Sequence, residues 1–127
     1  MAKVLIVEDD QLMSRMYVRV FTFEGFEVQV AANGQAGLDA LREFHPDIIL
    51  ADIMMPVMNG QDMLIAIKAD PALKDIPVIM LTNLADAKAA EETVAKGAEQ
   101  YVVKSKYGPQ EIVVLVKDVL AKQKPVA

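Results

Sequence analysis

The chain has no cysteine and no tryptophan, and its 127 residues include a single histidine, His45. Without thiols there can be no disulfides, no thiolate zinc site and no thiol nucleophile, which suits a reducing, cytoplasmic compartment. Long apolar runs are missing as well. The apolar stretch in the opening Met-Ala-Lys-Val-Leu-Ile-Val-Glu is too short for a signal peptide, and no later run reaches membrane-spanning length. There is no basic stripe either: 13 Lys and Arg are scattered among 18 Asp and Glu, giving a formal net charge of −5. A phosphate backbone repels such a chain, so neither direct nucleic-acid binding nor membrane attachment is expected.

What is present has the balance of a globular domain, with 54% apolar and 24% charged residues. The length fits one domain over residues 1–122, with a tail or truncated linker at 123–127 and fraying expected from Lys122. Two kinds of segment alternate along it. Val4-Leu5-Ile6-Val7, Val28-Gln29-Val30-Ala31, Ile48-Ile49-Leu50-Ala51, Val78-Ile79-Met80-Leu81 and Tyr101-Val102-Val103 are short, β-branched and mostly apolar, as parallel strands covered on both faces should be. Between them lie stretches with helical spacing. Met13, Met16, Tyr17, Val20 and Phe21 form one stripe, stopped at Glu24-Gly25, and Ile112, Leu115, Val116, Val119 and Leu120 form another after Pro109. Asn33-Gly34 and Asn59-Gly60 open two more helices, and an Ala-rich helix is expected from about Asp86 to Lys96. The order βαβαβαβαβα predicts a doubly wound α/β fold, a five-stranded parallel sheet with helices on both faces.

In such a sheet, ligands bind beyond the carboxyl ends of the strands. The first run ends in Glu8-Asp9-Asp10, the third in Asp52, the fourth in Thr82-Asn83 and the fifth in Lys104-Ser105. Clustered carboxylates repel one another, and burial makes their ionisation costlier. A hard divalent cation resolves the conflict, and Mg²⁺ prefers oxygen ligands of this kind. With one histidine, placed before Pro46 at the other end of the third strand, zinc is a poor candidate. Beside such a metal, Asp52 can act as a carboxylate nucleophile toward phosphorus, with Lys104 and Thr82 sharing the charge on the phosphoryl oxygens.

Each residue also has an ordinary reading. An Asp pair before a helix is commonly an N-cap and dipole partner, and that role is assigned to Asp10. A lysine after a strand is usually solvated, and a threonine ending one is usually structural. Asp52, directly after Ile-Ile-Leu-Ala, must be satisfied or open into a crevice. The joint placement of all four carries the chemical reading.

Taken together, Val4 to Asp10, the segment Asp52-Ile53-Met54-Met55-Pro56-Val57-Met58-Asn59-Gly60, the pair Leu81-Thr82 and the end Tyr101-Val102-Val103-Lys104 resemble the receiver domain of two-component response regulators over essentially the whole chain. The form is similar to that of stand-alone chemotaxis regulators, though a receiver cut from a larger protein would read identically. The resemblance implies a flavodoxin-like sheet of order 2-1-3-4-5. It further implies Asp52 as the phosphoacceptor for a histidine kinase or histidine phosphotransfer protein. Asp9 would be a direct Mg²⁺ ligand, Glu8 would hold a metal water, and the backbone carbonyl of Met54 would be a further ligand. Lys104 would pair with the phosphoryl group, Thr82 would move to bond it, and Tyr101 would swing inward. The face formed by the fourth helix, fifth strand and fifth helix would then change toward a protein target, or toward a homodimer on phosphorylation. In this picture the domain is not a conventional enzyme, but it catalyses its own phosphorylation and slow dephosphorylation.

Two positions depart from the pattern. Asn83 stands where a small residue is usual, and Ser105 where a cis proline is usual, so the loop from Lys104 to Pro109 is expected to run differently and to aim Lys104 less firmly. The positions two after Asp52 and two after Thr82 are Met54 and Leu84. Neither can orient a water, which predicts a long-lived phosphoaspartate. Three other readings fit these residues less well. A haloacid-dehalogenase-type phosphatase needs an acid where Met54 stands, an inert binding module would not need the acidic set, and a flavodoxin-like electron carrier lacks its Ser/Thr-rich phosphate loop here.

Overall fold

The computed structural model describes residues 2–83 and 87–123, apart from the side chains of Ala87 and Ala89. Five strands, β1 Lys3–Val7, β2 Glu27–Ala31, β3 Ile48–Asp52, β4 Val78–Thr82 and β5 Gln100–Val103, alternate with five α-helices, α1 Gln11–Phe23, α2 Gly34–Phe44, α3 Gly60–Ala69, α4 Ala87–Ala95 and α5 Pro109–Gln123. The strands form one parallel sheet in the order β2-β1-β3-β4-β5. The expected fold class is therefore observed. Leu84 and the expected helix start at Asp86 lie outside the described residues, as do the last four of the tail.

Alternation along the strands divides the core in two. Val4, Ile6, Ile48, Leu50, Ile79, Leu81 and Val102 face α1 and α5. Leu5, Val7, Ile49, Ala51, Val78 and Met80 face the opposite side, where α2 and α3 contribute Leu41, Met63, Leu64 and Ile67. β3 and β4 are buried at every residue, as runs without polar alternation should be. β2 differs from the expectation of cover on both faces. It is an edge strand in which Glu27, Gln29 and Val30 are exposed and Ala31 alone is buried. Among the described residues its only strand partner is β1.

The helix starts follow the capping residues. Asp10 accepts from the amides of Leu12 and Met13, Asn33 from Ala36, and Asn59 from Asp62. In α1 the buried residues are Ser14, Tyr17 and Phe21, while Met16 is exposed, contrary to the expected stripe. Phe21 packs edge-on against Phe26 at 5.2 Å, and the core-facing arc is centred on the Ser14 side. α5 likewise buries Val113, with Leu115 only partly covered, and exposes Val114 as expected. Its last turn includes Lys122 and Gln123, so the helix outlasts the expected fraying point.

Candidate functional site

Parallel register brings the strand ends to one rim. Val7 lies beside Ala31 and Ala51, Asp52 beside Leu81, and Thr82 beside Val103. The residues that end or follow β1, β3, β4 and β5 are therefore neighbours in space. Glu8 keeps to the sheet for one more hydrogen bond, its amide donating to the Ala31 carbonyl at 2.9 Å. Glu8, Asp52 and Thr82 are buried, whereas Asp9 is exposed. Carboxylate oxygens of Glu8, Asp9 and Asp52 lie within 4.8 Å of one another.

Lys104 joins two of them. Its Nζ lies 2.5 Å from Glu8 Oε2 and 3.1 Å from Asp52 Oδ2, and its side chain is almost fully enclosed. The Lys104–Ser105 peptide is trans, and the chain turns through a 3₁₀ turn at Lys104–Lys106. The expected weak aiming of Lys104 is thus not what the structure shows. Two carboxylates fix the ammonium without a proline after it.

The electrostatics follow from burial and this bridge. Burial pushes the Glu8 carboxyl above its usual range; Lys104 and the Asp10 amide oppose the shift, and the Asp52 charge adds to it. For Lys104 burial acts to lower the pKa, but the hydrogen bond to Glu8 and the charges of Asp52 and Glu8 outweigh it, leaving the ammonium firmly protonated. Tyr17, placed by sequence in a helix stripe, is also in electrostatic reach of the cluster. Burial raises its phenol, Lys104 opposes the rise, and Glu8 and Asp52 add to it. Nothing in helical periodicity marks a tyrosine as a neighbour of the pocket; it is found only once α1 is packed.

The loop after Asp52 is tightly held. The Met54 amide donates to Asp52 Oδ1 at 3.4 Å, and the Gly60 amide donates to the Ile53 carbonyl at 2.9 Å. A Cβ at Gly60 would sit 2.2 Å from the Asp52 carbonyl oxygen, so only glycine fits. Between these anchors the Met58 amide donates to the Pro56 carbonyl around Val57, whose φ is +68°. That is a γ-turn centred on a β-branched residue, a strained arrangement. The side chains of Met54 and Val57 both project into solvent.

Of the residues singled out in sequence, Glu8, Asp9, Asp52 and Lys104 are brought together. Thr82 ends the strand beside Asp52, one step past the residue paired with it. Tyr101 is half-buried and lines a groove of about 630 Å³ with Ala90, Glu91, Val94, Ala95 and Gln100. Asn83 is exposed, and His45 caps α2 in a left-handed conformation before β3, away from the rim. The three carboxylates form an all-oxygen donor set with one exposed member, which fits a hard, partly hydrated cation such as Mg²⁺.

This fold and rim agree with what the chain resembles. Residues 4–117 match the model of the response regulator receiver domain, and the chain belongs to that family. Among curated proteins it is 36% identical over 115 residues to the DNA-binding response regulator MtrA of Mycolicibacterium smegmatis, covering 91% of this chain and 49% of that protein. It is also 36% identical over 102 residues to the regulatory protein AtoC of Escherichia coli, covering 80% of this chain and 22% of that one. The chain thus spans about half the length, or less, of these relatives. Among solved structures it superposes on the receiver domain of Francisella response regulator 1452 with a TM-score of 0.90 at 25% identity, covering 98% of this chain and all of that one. Chemotaxis response regulator CheY4 of Vibrio cholerae gives 0.86 at 31% identity, over 94% and 98% of the two chains. Among the described residues no helix is long and apolar enough to cross a membrane.

Proposed function

We propose that Asp52 accepts a phosphoryl group from a phosphohistidine on a histidine kinase or a histidine phosphotransfer protein. The observation that carries this reading is the Lys104 ammonium held between Glu8 and Asp52, beside the Asp9 carboxylate. An Asp52 carboxylate oxygen attacks phosphorus, the phosphorus–nitrogen bond to the donor imidazole breaks, and the imidazole departs with its electron pair. Lys104 stays charged throughout and balances the developing negative charge. Glu8 and Asp9, with Asp52 and the Met54 carbonyl, would hold Mg²⁺, which when bound supplies further charge neutralisation to the phosphoryl oxygens. Thr82 then bonds the phosphoryl group, and Tyr101 follows toward the sheet. The groove between α4 and β5 changes shape, and the α4–β5–α5 face presents itself to a protein target or to a second copy.

Hydrolysis in this reading is slow. Met54, two residues after Asp52, is an exposed thioether that cannot activate water; its expected companion Leu84 lies outside the described residues. The domain boundary at residue 122 and the absence of direct nucleic-acid contact belong to the same proposal, the latter supported by the net charge of −5. Acetyl phosphate labelling tests the core of it. Label should appear only with Mg²⁺ and should vanish in Asp52→Asn; labelling that survives the substitution, or ignores chelation, overturns the assignment.

A further inference from the structure

α4 has the sequence Ala-Lys-Ala-Ala-Glu-Glu-Thr-Val-Ala, and among its described side chains only Thr93 is fully buried. No large apolar side chain is buried among the described ones of α4, which makes Thr93 its buried anchor there. Thr93 is 0% exposed, and its Oγ1 accepts a hydrogen bond from Gln61 Nε2 at 3.1 Å, across 32 residues of sequence. Its backbone carbonyl also accepts from the Lys96 and Ala98 amides, closing the helix end before Gly97. Thr93 is therefore both the polar anchor of α4 and the acceptor for its C-terminal turn.

The other partner is tied to the acidic rim. Gln61 is the second residue of α3, directly after Gly60, whose backbone is pressed against Asp52 and bonded to Ile53. The start of α3 cannot shift without the Asp52 loop shifting too. On the far side, Val94 is the next residue after Thr93 and lines the groove that Tyr101 also lines. A path thus runs from Asp52 through Gly60, Gln61 and Thr93 to the groove that Tyr101 lines.

We infer that the Gln61–Thr93 hydrogen bond is a pin that sets the position of α4 and passes movement of the Asp52 loop to it. Gln61 and Thr93 are positioning residues in this scheme; neither touches the acidic group. The mechanical part stands on the geometry alone, and the coupling part rests on the phosphoacceptor reading. Thr93→Val keeps the β-branched shape and removes the acceptor, Gln61→Leu removes the donor, and Thr93→Ser restores an acceptor.

The test is amide hydrogen exchange of α4 and NMR shifts of the Val94 and Tyr101 amides, each without additions and with Mg²⁺ plus beryllofluoride, a phosphoryl mimic. Without additions, Thr93→Val and Gln61→Leu should each speed α4 exchange about fivefold, the scale of one net hydrogen bond. The double variant should be no faster than Thr93→Val alone, and Thr93→Ser should stay near wild type. With both additions, the wild-type shifts at Val94 should shrink in the single variants while Mg²⁺ affinity stays the same. Unchanged α4 exchange in Thr93→Val and Gln61→Leu overturns the pin. Faster exchange with undiminished Val94 shifts overturns the coupling. A wild type that ignores the additions would overturn the phosphoacceptor reading and the coupling together, while exchange without additions still decides the pin.

Discussion

A side-chain hydrogen bond links α3 to α4, yet the two helices are held in different ways. α3 buries Met63, Leu64 and Ile67 in the core and starts against the Asp52 carbonyl. α4 offers only Thr93, a polar residue, among its described buried side chains. Burying a leucine or isoleucine side chain is worth about 1.5–3 kcal/mol, so α3 is fixed by several such contributions. A single net hydrogen bond is worth about 0.5–1.5 kcal/mol. The helix that follows the acid loop is thus anchored by the hydrophobic effect, and the helix that borders the Tyr101 groove shows a small polar anchor among its described side chains. Low local stability is what a segment that must move requires.

The largest test of this contrast is truncation on each side. Leu64→Ala should destabilise the domain by about 2–5 kcal/mol in urea unfolding, through lost burial and a cavity. Ala90→Gly, at a half-buried position of α4, should cost only about 1 kcal/mol, the helix-propensity difference. Equal losses from the two would mean that α4 is as firmly anchored as α3, and the contrast would fail.

Much of this could be read before folding. The five apolar runs, the Asn33 and Asn59 caps and the acids after β1 and β3 are local signals, and parallel pairing carries them to one rim without further information. The cover of β2 was misjudged because Val28-Gln29-Val30-Ala31 shows what could be buried, while its place at the edge is set by sheet order. Of the α1 stripe, Met13, Tyr17, Val20 and Phe21 pack into the core and Met16 stays exposed, because periodicity gives a face but not the centre of its arc. The residue after Lys104 suggests a less firmly aimed side chain, but its aim is set by Glu8 and Asp52, two carboxylates distant in sequence. The pairing of Gln61 with Thr93 has no sequence signal at all. A glutamine in a first turn and a threonine in an Ala-rich helix are each unremarkable until the two helices meet.

The loop that leads from Asp52 into α3 carries the next test. Val57 sits at φ +68° at the centre of the γ-turn, where a β-branched side chain is strained by roughly 1–3 kcal/mol. Its side chain is exposed, so substitution forfeits little packing. Val57→Asn should therefore raise stability by about 1 kcal/mol, read as a higher urea midpoint at unchanged slope. Val57→Gly should gain less, because glycine also adds freedom to the unfolded chain. A lower midpoint for Val57→Asn would show that the rim loop stores no strain, and that the rigid side of the comparison is rigid throughout.

The smallest effect concerns the charges that the rigid side holds in place. Burial raises the Glu8 carboxyl above its ordinary value of 4.5, so the folded protein binds that proton more tightly than the unfolded chain does. Its contribution to stability is complete below about pH 4.5 and is lost as pH rises through the folded pKa. The Lys104 ammonium is also raised, but from 10.5, so its contribution holds through neutral pH and disappears only in alkali. Glu8→Gln removes the first and also one partner of Lys104, so between acid and neutral pH, where Lys104 stays charged, the change of the difference with pH follows the Glu8 carboxyl. With chelator present, the stability of wild type relative to Glu8→Gln should fall as pH rises from about 4 to about 8. With Mg²⁺ present the same difference should rise, because cation binding requires the ionised carboxylate. A flat difference in chelator would mean that Lys104 fully compensates for the burial of Glu8. The rim would then be electrostatically balanced before any cation arrives, and the metal would bring order there but no relief of charge.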